Sequence, residues 1–276
     1  MDTDMKLGRH HLNQRTLRKM RRDLRHRIVG LPWMNVSKEH CILASWPRSG
    51  NTWLRHILFF YFYQSDQVDM TKLDQYMPLI DSVDLKTHLA APNPAPYRFI
   101  KSHELGVPYF LNGRIILIVR DGRDATYSWH HYMQSVHGLK SDFPTFLGAC
   151  LRDRYRYKSW HTNLASWLDL EAGDAMLILR YEDTLTEPDK ALRRILAFLK
   201  LPVDEERLQY ALEKSSRDAV SKSFQTMKNT NNVVGFSGTA GGPTKERWRS
   251  TFTKAQNDTF VAQAGALLSQ FGYPLE

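Results

Sequence analysis

The sequence predicts a single α/β domain with a central, mostly parallel sheet flanked by helices. Short apolar runs that fit buried strands alternate with stretches of helical periodicity, and this strand-then-helix repeat marks a parallel sheet covered on both faces. The 276 residues are 42% hydrophobic and 12% aromatic, enough to bury a large core. The longest apolar runs, near Ile57 to Phe62 and Ile115 to Val119, fall well short of the about 18 residues a membrane span requires.

The first element is a basic segment, residues 1–35, ahead of a domain expected over 36–276. Residues 1–30 hold nine lysines and arginines against three aspartates, which is +6 of the chain's +9. Leu17, Met20, Leu24, Ile28 and Leu31 recur at spacings of three and four, one apolar helical stripe among arginines. It reads as a helix docked on the body, with attachment to anionic lipid or nucleic acid, or a free tail, as open alternatives. No aromatic residues interleave with the charges as base stacking would need, so nucleic acid is not the expected partner.

After Pro32, strands are predicted at Cys41–Ser45, Arg98–Lys101, Ile115–Val119 and Met176–Leu179, and helices at Thr52–Tyr63, Asp124–Met133 and Asp189–Leu199. The proline-rich stretch 90–97 cannot pair as a central strand and reads as a surface connection. A second irregular stretch, Asn229 to Pro243, is rich in Asn and Gly and reads as a loop of the kind that covers a site. The only two cysteines are Cys41, which begins an apolar run, and Cys150, so no disulfide framework is expected. With no apolar leader at the N-terminus, the expected location is the cytoplasm.

Ligands of such sheets bind at the carboxyl ends of the strands, and there the chemistry-bearing residues collect. Ser45-Trp46-Pro47-Arg48-Ser49-Gly50-Asn51-Thr52-Trp53 lies between a strand and a helix and has the makings of a phosphate cradle. Gly50 lets the backbone approach an anion, the helix start offers free N–H groups, Ser49 and Thr52 add hydroxyls, and Arg48 supplies the cation. It is not a Walker loop, since G-x-x-x-x-G-K-[ST] is absent. A second strand, Ile115–Val119, ends in the charged turn Arg120-Asp121-Gly122-Arg123-Asp124, in which Arg123 with Asp124 reads as structural pairing.

These motifs resemble those of the PAPS-dependent sulfotransferase family, PAPS being 3′-phosphoadenosine 5′-phosphosulfate. The family's loop reads roughly YPKSGTTW, and here it is WPRSGNTW. The resemblance covers about residue 40 to the C-terminus and implies a P-loop-NTPase-like fold. It implies that residues 48 to 53 bind the 5′-phosphosulfate end, with Arg48 in the place of the family's lysine and Trp53 stacking on adenine. Arg120 and Ser128, eight residues apart, match the family's grip on the 3′-phosphate. Phe99-Ile100-Lys101-Ser102-His103 matches its K-[ST]-H segment, implying His103 as general base and Lys101 as a cation for the transferring group. Tyr181, in Leu179-Arg180-Tyr181-Glu182-Asp183, and Ser223, Phe224 and Met227, in Ser223-Phe224-Gln225-Thr226-Met227-Lys228, match its adenine contacts.

Three departures carry expectations of their own. Arginine neutralises charge but donates a proton poorly, so Arg48 is not expected to serve as a general acid. The family's Arg-Lys-Gly triplet is missing between Phe236 and Trp248, where Lys245 and Arg247, or backbone amides, would have to substitute. Lys254 and Asp258 replace the valine and glutamate of the family's dimer signature, which leaves the oligomeric state open. The reading is a metal-free sulfuryl transfer to a hydroxyl or amine of a small-molecule acceptor, with His130 and His131 as candidate lining of the acceptor pocket. The rivals are a P-loop-type kinase and a nucleotide-sensing, polyanion-binding module.

Overall fold

The computed structural model describes residues 36–66, 68–82, 85–216 and 246–276. The basic segment 1–35, the stretch Asn229 to Pro243, Lys245, and Ser223, Phe224 and Met227 lie outside the described residues. Four parallel strands, β1 (His40–Ser45), β2 (Arg98–Ser102), β3 (Arg114–Val119) and β4 (Met176–Arg180), form a sheet in the order β2-β1-β3-β4. Every strand boundary falls within one residue of the sequence expectation, while the helix expected at Asp124–Met133 runs further, over Gly122–His137. β1 and β3 hold the centre because His40–Ser45 and Ile115–Val119 are buried throughout, whereas the partly exposed β2 and β4 form the edges.

Between β1 and β2 run α1 (Asn51–Tyr63), α2 (Met70–Tyr76) and α3 (Leu85–Ala90); between β3 and β4 run α4 (Gly122–His137), α5 (Phe143–Leu151) and α6 (Trp160–Leu168). After β4 come α7 (Tyr181–Thr186), α8 (Pro188–Phe198), α9 (Glu205–Lys214), α10 (Trp248–Thr251) and α11 (Lys254–Gln270). Strand alternation divides the core in two. Leu43, Phe99, Ile116 and Ile118 face Leu54, Ile57 and Leu58 of α1 with Leu192 and Ile195 of α8. Ile42, Ile100, Ile115 and Leu117 face Trp129 of α4, Phe146 of α5, Trp167 of α6 and Phe260 of α11. Cys41 and Cys150 are free and buried, one in each half, as a chain without a disulfide framework requires.

The chain leaves β1 for β2 on one side and places β3 on the other. The crevice outside the carboxyl ends of β1 and β3 is therefore a topological switch point, the place where open sheets of this kind hold ligands. Residues 91–97 are the irregular connection into β2 that their prolines predict, tied by the Asn93 amide to the carbonyls of Ala95 and Tyr97. On α11 the replaced dimer-signature residues pair with each other, Lys254 Nζ to Asp258 Oδ2 at 2.8 Å. No helix among the described residues is long and apolar enough to cross a membrane.

Candidate active site

The loop after β1 is coiled tightly by two left-handed residues, Arg48 (φ 65°) and Gly50 (φ 102°). A side chain at Gly50 would put its Cβ 2.3 Å from the Tyr181 ring, so glycine is required by backbone and by space. The first helical bond of α1 runs from Leu54 N to Gly50 O, and no side chain caps the helix. The N–H groups of Asn51, Thr52 and Trp53 therefore have no intrahelical partner. Ser49 Oγ is buried and makes no hydrogen bond. Asn51, expected as a nucleotide contact, turns its amide nitrogen to Leu43 O (2.7 Å) and Ser45 Oγ (3.2 Å), so its side chain serves to pin α1 to the end of β1.

Two arginines meet at this loop. Arg48 Nε donates to Ser128 Oγ on α4 at 3.2 Å, and its guanidinium lies 5.1 Å over Tyr132. Arg120, only 9% exposed at the end of β3, donates from Nη1 to the Arg48 carbonyl at 3.0 Å and stacks 4.8 Å over Tyr181. Burial, and then the charge of Arg120, pull the Arg48 pKa below its ordinary value. Among the described residues no carboxylate is paired with Arg120. Its neighbour Arg123 is fully buried and engaged by Asp121, Asn257 and the carbonyl of Pro274, with Trp248 3.5 Å beneath it. The structural partner of Arg123 is thus Asp121 rather than Asp124, which accepts from Trp248 N instead.

Across the crevice His103 follows β2. Its Nδ1 lies 2.8 Å from the Ser45 carbonyl, which fixes that nitrogen as the donor and leaves the lone pair on Nε2. Asn163 Nδ2 holds the His103 carbonyl at 3.0 Å, and Tyr157 packs edge-on at 5.6 Å. Burial first, then the cation of Lys101, lower the His103 pKa to about 3, so the ring is neutral at working pH. Lys101, on β2, is lowered to about 8, by burial and then by Arg55.

Trp53 is half-buried against the α1 side of the core, and Tyr181 sits between Gly50 and Arg120. His130 is a core residue, its Nε2 on Ser141 O at 2.9 Å and its ring against Phe146, while His131 packs on Tyr127. Arg247 lies 5.3 Å over Tyr127, one residue before Ser128. Sequence reasoning missed Arg55, a fully buried arginine on α1 paired with Asp74. The signal was present, a lone cation inside the apolar run Leu54 to Phe62.

This geometry predicts that Gly50→Ala loses nucleotide affinity and lowers the melting temperature, because the Tyr181 ring must be expelled. Thermal unfolding of Gly50→Ala with Tyr181→Ala should recover part of the loss, leaving about 1–2 kcal/mol from the left-handed backbone. No recovery would place the clash elsewhere.

The comparisons with known proteins agree with the geometry. The chain is similar to sulfotransferase 1A1 of Bos taurus, 27% identical over 242 residues covering 80% of each chain. It is similar to sulfotransferase 1C2 of Homo sapiens, 23% identical over 247 residues covering 79% of each. Among solved structures, a mouse sulfotransferase complexed with PAP superposes with a TM-score of 0.68 at 22% identity, over 88% of this chain and 92% of that one. A retinol dehydratase in complex with androsterone and PAP superposes at 0.66 and 19%, over 85% and 82%. Those two likenesses concern the fold, which is the P-loop-like one of the sulfotransferases. The sulfotransferase domain model matches residues 38–272, nearly the whole described chain, and this protein belongs to that family of enzymes.

Proposed function

We propose that the protein transfers the sulfuryl group of PAPS to a hydroxyl or amine of a small-molecule acceptor in the cytoplasm, with His103 as general base. The observation that carries this reading is the convergence of Arg48, Arg120 and Ser128 with the unpartnered Ser49 hydroxyl at one strand-end crevice. A buried arginine without a carboxylate, an orphaned buried hydroxyl and three free helix-start N–H groups fit a ligand with phosphate at both ends.

When bound, PAPS supplies an activated sulfuryl group and a phosphate leaving group. The free N–H groups of Asn51 to Trp53, with Ser49, Thr52 and Arg48, hold the 5′ end and neutralise charge that builds there. Arg120 and Ser128 hold the 3′-phosphate, and Trp53 and Tyr181 supply the adenine wall. His103 Nε2 takes the proton of the acceptor oxygen or nitrogen, and the Nδ1 contact with Ser45 keeps the ring oriented for it. Lys101 places a cation beside the transferring group. The acceptor's identity lies with residues on the far side of His103, Tyr157 packed against its ring among them.

Calorimetric titration with 3′-phosphoadenosine 5′-phosphate, AMP and magnesium–ATP tests the reading. Binding should require the 3′-phosphate and weaken roughly ten- to hundredfold in Arg120→Ala, the worth of a charged hydrogen bond. Equal affinity for AMP, or preference for magnesium–ATP, would refute it. The part of Arg247 is read in the same titration, since undiminished affinity in Lys245→Ala with Arg247→Ala would remove both side chains from the 3′-phosphate grip.

A further inference from the structure

Lys101 occupies an unusual electrostatic position for a catalytic-site lysine. It pairs with Leu43 across β1 and lies two residues beyond Phe99, so it faces the side of the sheet that α1 covers. Its backbone is bound on both flanks, N–H to Pro78 O and carbonyl from Ile80 N, which fixes where the side chain starts. On the same side, α1 places Arg55, with no exposed surface at all, against Asp74 of α2. Arg55 uses one nitrogen for that carboxylate at 2.5 Å, and its Nε and Nη1 have no hydrogen-bond partner.

The acids that could neutralise Lys101 are already committed. Asp74 is engaged by Arg55, and Asp81 by Arg156, which also holds Glu104. Among the described residues the Lys101 ammonium makes no ion pair. The groups that act on it are Arg55 from α1, Asp74 from α2, Arg48 from the loop after β1, and Asp81. The neighbouring His103 is neutral at working pH. Arginine stays charged at every accessible pH, so Arg55 is a fixed positive charge buried beside a titratable one.

We propose that the Arg55–Asp74 pair is a positioning device that governs the protonation of Lys101 and thereby the upper pH limit of sulfuryl transfer. Arg55, fully buried on α1, acts through its charge, on Lys101 and also on His103, whose pKa the same charge lowers. Lys101 must carry its proton to offer a cation to the transferring group. The inference rests on the transfer reading for its consequence, but the protonation of Lys101 is a property of the free protein.

The two members of the pair act with opposite sign, and that makes the test specific. The titration of Lys101 is followed by NMR of lysine-labelled full-length protein, its resonance assigned by its loss in Lys101→Arg. The midpoint should lie near 8 in the wild type. It should rise by roughly half a pH unit or more in Arg55→Met and fall by a similar amount in Asp74→Asn, as expected for the loss of one nearby charge. The alkaline limb of kcat/KM should move with it in both variants. A merely structural pair would lower activity at all pH values without moving either midpoint. Unchanged midpoints, or shifts of the same sign, overturn the inference. Asp74 is half-exposed, with 54% side-chain accessibility, so Asp74→Asn remains a usable variant even where Arg55→Met does not fold. If no sulfuryl transfer is found while the midpoints move as stated, the transfer reading fails and the electrostatic assignment stands.

Discussion

Replacing His103 with glutamine is expected to lower kcat by roughly 10²–10⁴-fold while leaving affinity for 3′-phosphoadenosine 5′-phosphate unchanged, as for loss of a general base. The size follows from geometry. His103 stands at the end of β2, oriented by Ser45 and by the Asn163 grip on its carbonyl, and its ring contacts run through Nδ1, which leaves the Nε2 lone pair without a hydrogen bond among the described residues. Its pKa, lowered from 6.5 to about 3 by burial and by Lys101, keeps that lone pair available well below neutral pH. The kcat/KM of the free enzyme should therefore show no break near 6.5, and its acid limb should appear only at lower pH. A loss of less than tenfold, measured with saturating donor, would take the general-base role away from His103.

The same depression has a stability consequence. The folded-state pKa values of His103 and of His56, about 3 and about 4, lie below the ordinary 6.5, so both side chains favour folding in the neutral form. Their contribution is complete above pH 6.5 and is lost as pH falls from there through the folded values, because the unfolded chain binds protons first.

The largest stability effect is expected at Arg123, next but two to the proposed phosphate ligand Arg120. Arg123→Met should destabilise the fold by about 3–5 kcal/mol, the cost of stripping one partner from a buried ion pair. It would strip the Asp121 carboxylate, 3% exposed, of its guanidinium partner, leaving it only the backbone N–H of residue 123, would leave the Pro274 carbonyl without its donor, and would remove one tie between the C-terminal tail and the turn that carries Arg120. For a domain of this size the melting temperature should fall on the order of 10 °C. A fall of only a degree or two in calorimetry would mean that Trp248 and Asn257 hold the turn by themselves. Arg120→Ala provides the contrast, since it should weaken nucleotide binding and leave stability nearly intact.

The central strands were readable from the chain because their signal is local. An apolar run such as Ile115–Val119 between turn residues admits few conformations other than a buried strand. The left-handed Gly50 and the hydroxyls beside it are likewise written in nine consecutive residues. Helices were harder. Phe143–Leu151 and Trp160–Leu168 went unassigned, because they are apolar on more than one face and show no polar contrast from which to read a period, although Asp142 and Ser159 cap them.

What the chain determined by itself was the parallel sheet, the tight glycine loop after β1 and the residue types gathered at the strand ends, all properties of short windows. Only tertiary structure decided that Asn51 turns to the strand, that Arg123 takes Asp121 and the C-terminal tail, and that Arg55 is buried against Asp74 beneath α1. A charge in a sequence carries no mark of its partner. The pairing depends on which helix covers which face of the sheet, and for Arg123 it joins residues 151 positions apart, a distance over which no periodicity survives.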